Sequence, residues 1–153
     1  MVKKILLRFE RGGEVTATLM EDKAPKTCKI VLSSLPVESK VLHAMWAGEE
    51  VFFNDFPVSE DVPIENETND VNPGEILITS TVHQWKRNGK PIFPKGTAGF
   101  CIFYGVARPR VTVDETMTLN LFAKVDDVEK MREIGKRVRV HGTESIKVEA
   151  YHR

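Results

Sequence analysis

Ile5, Leu7 and Phe9 alternate with more polar neighbours, as do Val15, Ala17 and Leu19, and Arg11-Gly12-Gly13 stands between the two runs. Period-two alternation marks a strand with one buried face, and a glycine-rich break between two such runs marks a hairpin. The period changes at "APKTCKIVLSSLP", where Cys28, Val31, Leu32 and Leu35 fall at i, i+3, i+4 and i+7. Pro25 suits a first helical turn and Pro36 closes the segment, so the spacing predicts a helix over 25–35. Further strands are predicted at about 39–46, 49–53, 75–81, 99–105 and 117–125. A second short helix is predicted over 127–134, with Asp126 as its cap, Glu129 in capping-box position and Gly135 at its C-terminal turn. "RVRVH" and "ESIKVEAY" read as two last strands flanking His141-Gly142-Thr143-Glu144. Many strands with two isolated helices predict a mainly β chain, a closed barrel with helices at its ends and its termini on neighbouring strands. The connection 54–73 is rich in proline and carboxylate and has no sustained period, which predicts an exposed and partly mobile surface loop.

Composition narrows the classes of partner. A chain of 153 residues suits one domain spanning 1–153, burying roughly 70% of its unfolded surface. Lys plus Arg number 22 and Asp plus Glu number 22, so no global field favours nucleic acid or an anionic membrane. Cys28 and Cys101 are too few for a disulfide scaffold and lack metal-ligand spacing, and they read as buried thiols in a reducing cytosol. "MVKKILLRFERGGE" breaks its apolar run at Arg8 and Glu10 and is not a signal peptide. No stretch approaches the ~20 apolar residues of a membrane span. A cytoplasmic monomer is expected. A single Gln against abundant Glu, Lys and Arg leans toward a heat-adapted source.

Charge is unevenly spread. Between Val41 and Trp85 there is no Lys or Arg, while nine carboxylates from Glu49 to Glu75 fall there. From Ile76 to Val113 the sign inverts, with Lys86, Arg87, Lys90, Lys95, Arg108 and Arg110 and no carboxylate. Such blocks are commonly solvated loop faces, and the alternative is a cleft or partner surface with one acidic and one basic side.

"DKAPKTCKIVLSSLP" resembles the first helix of cyclophilins, and "NPGEILI" is similar to the Gly-Pro-Gly strand start in the middle of that family. "GFCIFYG" stands where the family has its Phe-Phe strand, and "NLFAKVDDVEKMREIG" resembles its Phe-Gly-Lys-Val strand and short helix. The resemblance runs over almost the whole chain and implies a cyclophilin-like barrel. "HAMWAGE" followed by "PIENETNDVNPGEIL" looks closer still to an uncharacterised prokaryotic family of cyclophilin-like proteins. The resemblance also implies what is missing. Aligned on His43, "LHAMWAGEEVFF" lies on the segment that supplies the catalytic arginine, two apolar pocket residues and a glutamine of cyclophilins. Ala44 takes the arginine position, Glu49 and Glu50 replace the apolar pair, and Phe52 replaces the glutamine. Phe103 matches a pocket phenylalanine, while Asp114 and Leu119 fall near the places of the pocket Trp and His. The resemblance implies that an arginine hydrogen-bonds the twisted amide over a barrier near ~20 kcal/mol, and alanine has no donor. Two carboxylates also resist the desolvation that a proline ring requires. The isomerase site is therefore read as erased, on a strand pair joined at Ala47-Gly48.

Other chemistry is sparse. His43 and Trp46 are three apart, so on one strand they face opposite sides. His43 shares a face with Val41 and Met45 and reads first as a core or edge histidine, and Trp46 as buried support or a cleft wall. "IENETND" is oxygen-rich but lacks the spacing of a calcium loop, so no metal and no cofactor is expected. His83, His141 and His152 are scattered. The first functional reading is a binding module for a small molecule or peptide in the groove, lined by His43, Trp46, Glu49, Glu65, Asn66, Phe103 and Tyr104. The alternatives are an enzyme of a new class using Glu49 or Glu65 as general acid or base near His43, and residual prolyl isomerase activity.

Overall fold

The structure is a computed structural model that describes residues 2–152. In chain order its elements are β1 (Lys4–Phe9), β2 (Glu14–Leu19), α1 (Pro25–Ser34), β3 (Val37–His43), β4 (Gly48–Pro57), β5 (Glu67–Thr68) and β6 (Glu75–Ile78). There follow β7 (Lys86–Arg87), β8 (Lys90–Pro91), β9 (Thr97–Ala107), β10 (Leu119–Val125), α2 (Val128–His141) and β11 (Glu144–Tyr151). Eight antiparallel strands run in the order β2-β1-β11-β3-β4-β9-β6-β10, and β10 pairs back on β2 to close the barrel. The expected closed, mainly β barrel is thus present, with the first and last strands paired from Lys4–Tyr151 to Phe9–Ile146. Closure leaves these eight strands no open edge. The short β5 adds to the end of β10, and β7 with β8 forms a separate hairpin. Among the described residues no helix is long and apolar enough to cross a membrane.

The alternation read from the sequence decides which side chains fill the barrel. Ile5, Leu7, Val51, Phe53, Phe100, Ile102, Tyr104 and Phe122 point inward and are fully or almost fully buried. Phe53 and Phe56 both stack on Phe100, at 5.0 and 5.5 Å between ring centroids. A second apolar cluster lies on the outer face: Leu77, Cys101, Phe103, Val111, Met117 and Leu119, roofed by residues of the loops 79–96 and 108–118. A sheet face buried on both sides is what allows a groove to form outside the barrel.

Four expectations are corrected. "RVRVH" is not a strand; α2 runs on to His141. Met131, Ile134, Gly135 and Val138 keep the i, i+3, i+4, i+7 spacing that faces the barrel, whereas Val140 is exposed. Gly135 does not end the helix. It lies inside α2 because a Cβ there would stand 2.3 Å from the Tyr104 ring, and Gly142, at φ +90°, follows the last turn instead. The cap is Asp127, which accepts from Lys130 N, while Asp126 accepts from Lys4, Thr16 and Thr18. The stretch 54–73 is more than an exposed loop. Residues 54–57 extend β4, Val58 and Val62 are buried, and Glu67–Thr68 pairs with β10.

Candidate functional site

The groove is built on β4. Val51 and Phe53 point into the barrel, so period-two geometry turns Glu50 and Phe52 outward. Across the sheet Glu50 faces Phe103 and Phe52 faces Cys101 on β9, which makes Cys101 the diagonal neighbour of Glu50. Gly48 starts β4 at φ +108°, where a Cβ would lie 2.5 Å from Val106 O, so the tight turn needs glycine. Ala44 N donates to Glu50 O at 3.0 Å and closes this turn. The predicted junction at Ala47-Gly48 is present.

The resulting cavity has a volume of about 470 Å³. Glu50, Phe52 and Cys101 line its floor, Leu42, Met45, Trp46, Ile92, Phe93 and Met117 its walls, and Arg87, Arg110 and Arg139 its rim. Arg87 crosses from the β7–β8 hairpin and ties three segments together. Its Nε and Nη2 donate to Val111 O at 2.9 and 2.6 Å, and its guanidinium carbon lies 5.3 Å from the Trp46 ring centroid. A guanidinium in that position is held by cation–π attraction as well as by hydrogen bonds.

Glu50 is the anomaly of the site. Its residue exposure is 7% although it is a carboxylic acid on an apolar surface. Burial pushes its carboxyl up from 4.5 to about 7, against a smaller lowering from the Cys101 thiol that hydrogen-bonds it. Burial and the adjacent Glu50 hold the Cys101 thiol well above its ordinary range. Desolvation disfavours the charged form of each. Near neutrality the groove floor therefore carries a carboxyl that can give or take a proton, beside a thiol that stays protonated.

The residues singled out from the sequence fall in different places. His43 and Trp46 line the groove. His43 Nδ1 lies 2.9 Å from Ala44 O, and its Nε2 lies 2.7 Å from the Tyr104 hydroxyl. A carbonyl only accepts, so this geometry puts the proton on Nδ1 and makes Nε2 the acceptor of the tyrosine proton. Tyr104 itself is buried in the barrel, so it reaches the site only through His43. Glu49 borders a smaller neighbouring cavity and is spent on structure, its Oε1 accepting from Val106 N at 2.9 Å. Gly105 makes room for it, since a Cβ there would lie 2.2 Å from Glu49 Oε1. Phe103 is fully buried in the outer cluster beneath the groove.

Glu65 and Asn66 do not line this groove. Glu65 caps α1 from outside the helix, accepting from Thr27 N and Thr27 Oγ1 at 2.7 Å each and from Lys26 N at 3.2 Å. Ala24, at the N-cap, has no side chain able to do so. Burial alone would raise the Glu65 carboxyl, but these donors outweigh it and hold it below 4.5. Asn66 donates to Leu121 O at 2.8 Å. Because Glu65 is depressed, its contribution is present above about pH 4.5 and lost as pH falls through its lower folded value. Glu65→Ala should cost about 2 kcal/mol at pH 7 by urea unfolding, a cap-sized effect, and much less at pH 3. The same loss at both values would show that the carboxylate is not the cap.

Sequence reasoning passed over Glu50 as a proton-holding group, and with it Cys101, Arg87, Arg110 and Arg139. Parity along β4 could have separated Glu50 from Glu49. The basic block at 86–110 supplies two of the arginines and the acidic block supplies Glu50, so the cleft with residues of both signs is partly present. Among the described residues no three His, Cys, Asp or Glu side chains gather as a metal site.

Comparison with known proteins agrees with the fold. The family described as "Protein of unknown function (DUF3830)" matches residues 9–150. No curated protein matches. Among solved structures, McbB in complex with tryptophan is similar at a TM-score of 0.68 and 15% identity, over 95% of this chain. This chain spans only 44% of that protein. The hypothetical protein AF2241 from Archaeoglobus fulgidus is similar at a TM-score of 0.60 and 22% identity, over 97% of this chain and 94% of that one. A Cryptosporidium parvum cyclophilin-type peptidyl-prolyl cis-trans isomerase is similar at 0.57 and 15%, over 100% and 99%. At these identities the likeness is one of fold.

Proposed function

Because this chain belongs to the DUF3830 family of proteins of unknown function, its activity has to be read from its own groove, and we propose that the groove binds a small amphipathic molecule of amino-acid-like charge. The observation that carries this reading is Glu50, a carboxyl held near neutral pKa on the floor of an apolar cavity whose rim carries three arginines. A buried carboxyl with no cation paired to it is costly to keep ionised, and natural sequences retain such groups chiefly where they act. An ammonium or other donor would meet Glu50, an anionic group would meet the guanidinium rim, and an apolar body would lie against Trp46, Phe52 and Phe93. A protein of this fold is described in complex with tryptophan, an aromatic molecule with this layout of charge. That supports the ligand class without identifying the ligand.

The test uses L-tryptophan as the probe and the indole N–H signal of Trp46 as the reporter. Millimolar L-tryptophan should move that signal saturably, and Glu50→Gln should weaken binding by about tenfold, the scale of one charged hydrogen bond. A Trp46 signal that stays fixed under L-tryptophan, L-phenylalanine and indole-3-acetate would overturn the reading.

We infer further that the groove does not catalyse prolyl isomerisation. Ala44 lies in the turn of β3 and β4 with no donor to offer, and Glu50 occupies the floor where a proline ring would need an apolar seat. Of the groove guanidiniums, Arg87 already gives two donors to Val111 O. Loss of one oriented donor typically costs about 10²–10³ in rate. A protease-coupled assay on Xaa-Pro peptides at micromolar protein should therefore return the uncatalysed rate, and clear acceleration lost in Arg87→Ala would contradict this.

A further inference from the structure

Of the three guanidiniums at the groove rim, two are already engaged. Arg87 donates twice to Val111 O and lies against Trp46, and Arg110 Nη1 donates to Val113 O at 3.1 Å. Arg139 has no hydrogen-bond or ion-pair partner among the described residues. The two other arginines of α2 are paired, Arg132 with Glu129 and Arg137 with Glu144. The end of the helix does not occupy Arg139 either. Val138 O accepts from Gly142 N, and the carbonyls of Gly142 and Thr143 accept from Arg11.

Its place in the fold gives this guanidinium a direction. Val138 is buried against the barrel and lines the groove, and Arg139 follows about 100° further round the helix, at the edge of that face. Arg139 lines both the groove and the smaller neighbouring cavity of about 430 Å³, and the two cavities also share His43, Ala44 and Met45. Burial, and after it the Glu49 charge, hold the Tyr104 hydroxyl above its ordinary range, while the Arg139 charge draws it down. That hydroxyl lies 2.7 Å from His43 Nε2, so the Arg139 charge acts on the junction of the two cavities. Glu49 is the only carboxylate lining the smaller cavity, and its Oε1 is taken by Val106 N.

We propose that Arg139 is the residue that selects for a carboxylate on the ligand, its guanidinium meeting the anionic end where the two cavities join. The assignment rests on the groove being a ligand site, and it names which cation of the rim sets the specificity. An arginine fork can hold both oxygens of a carboxylate, whereas a lysine offers a single point charge.

The test compares L-tryptophan with tryptamine, the same molecule without its carboxylate, on nitrogen-15-labelled protein with the Trp46 indole N–H as reporter. Arg139→Ala should weaken L-tryptophan about tenfold, as loss of a hydrogen bond between charged groups does. Tryptamine should bind that variant at least as well as it binds the unaltered protein. Arg139→Lys should recover part of the preference for tryptophan. Arg139 is exposed, so the urea midpoint should stay where it is. Undiminished tryptophan binding in Arg139→Ala would overturn this assignment and leave the groove reading standing. Equal weakening of both ligands would overturn it too, since the residue would then shape the site rather than select the anion. A loss of preference in Arg110→Ala but not in Arg139→Ala would move the carboxylate to Arg110. If neither ligand moves Trp46 in the unaltered protein, the groove reading itself fails and takes this assignment with it.

Discussion

At pH 8, Glu50→Gln should be more stable than the unaltered protein by about 3 kcal/mol, the equivalent of moving a carboxyl from 4.5 to about 7. The folded protein keeps the Glu50 proton up to about pH 7, whereas the unfolded chain releases it near 4.5. Between these values the unfolded state binds fewer protons, so the stability contributed by this group falls as pH rises and then levels off. Glutamine never ionises and escapes that loss. Below pH 4.5 both states hold the proton, and the two proteins should unfold alike. Thermal unfolding at pH 4 and pH 8 measures the difference. Equal melting temperatures at pH 8 would mean that Glu50 is solvated and ionised without penalty. A stabilising substitution in the groove is the expected signature of a residue kept for activity rather than stability.

Glu144→Ala should act in the opposite sense and destabilise by about 3 kcal/mol at neutral pH, the lower end for breaking a buried ion pair from one side. The Glu144 side chain is fully buried. Arg137 grips it with two bonds, Nε to Oε2 at 2.9 Å and Nη2 to Oε1 at 2.7 Å, and Arg11 N adds a third at 3.1 Å. Arg137 Nη2 also reaches Gly12 O, and Arg11 reaches the carbonyls of Gly142 and Thr143. One carboxylate therefore joins the β1–β2 hairpin, α2 and the start of β11 at one end of the barrel. Urea unfolding checks the value, and a loss below about 1 kcal/mol, the scale of an exposed pair, would show that water already screens this network.

The barrel was legible because alternation is local. Ile5-Leu7-Phe9 and Val15-Ala17-Leu19 declare their inner faces without help from distant residues, whereas the run from Phe100 to Tyr104 is apolar and buried on both faces and declares only a strand. The helix over 137–141 was not legible. Arg-Val-Arg-Val-His alternates like a strand, and only its contact with the barrel through Val138 settles the period. The groove was half legible. The segment 42–53 does line it, and parity along β4 separates Glu50 from Glu49, but nothing in "EE" says that Glu50 is buried. That is decided by the loops 79–96 and 108–118, which fold over the outer sheet face from far along the chain. The same distance hides the role of Glu65, whose partners Lys26 and Thr27 lie 39 and 38 residues away. An acidic stretch that reads as a ligand loop serves instead to cap a helix.

The central claim is that Glu50 is a proton-holding carboxyl on the floor of a ligand groove. The measurement closest to it is a carbon-13 titration of the glutamate side-chain carboxyls, with Glu50 assigned by its absence in Glu50→Gln and followed with and without L-tryptophan. One carboxyl should titrate near 7 in the free protein, and the ammonium of bound tryptophan should lower that midpoint. If Glu50 titrates between 4 and 5 in the free protein and tryptophan leaves it there, the floor of the groove is an ordinary solvated surface and the claim fails.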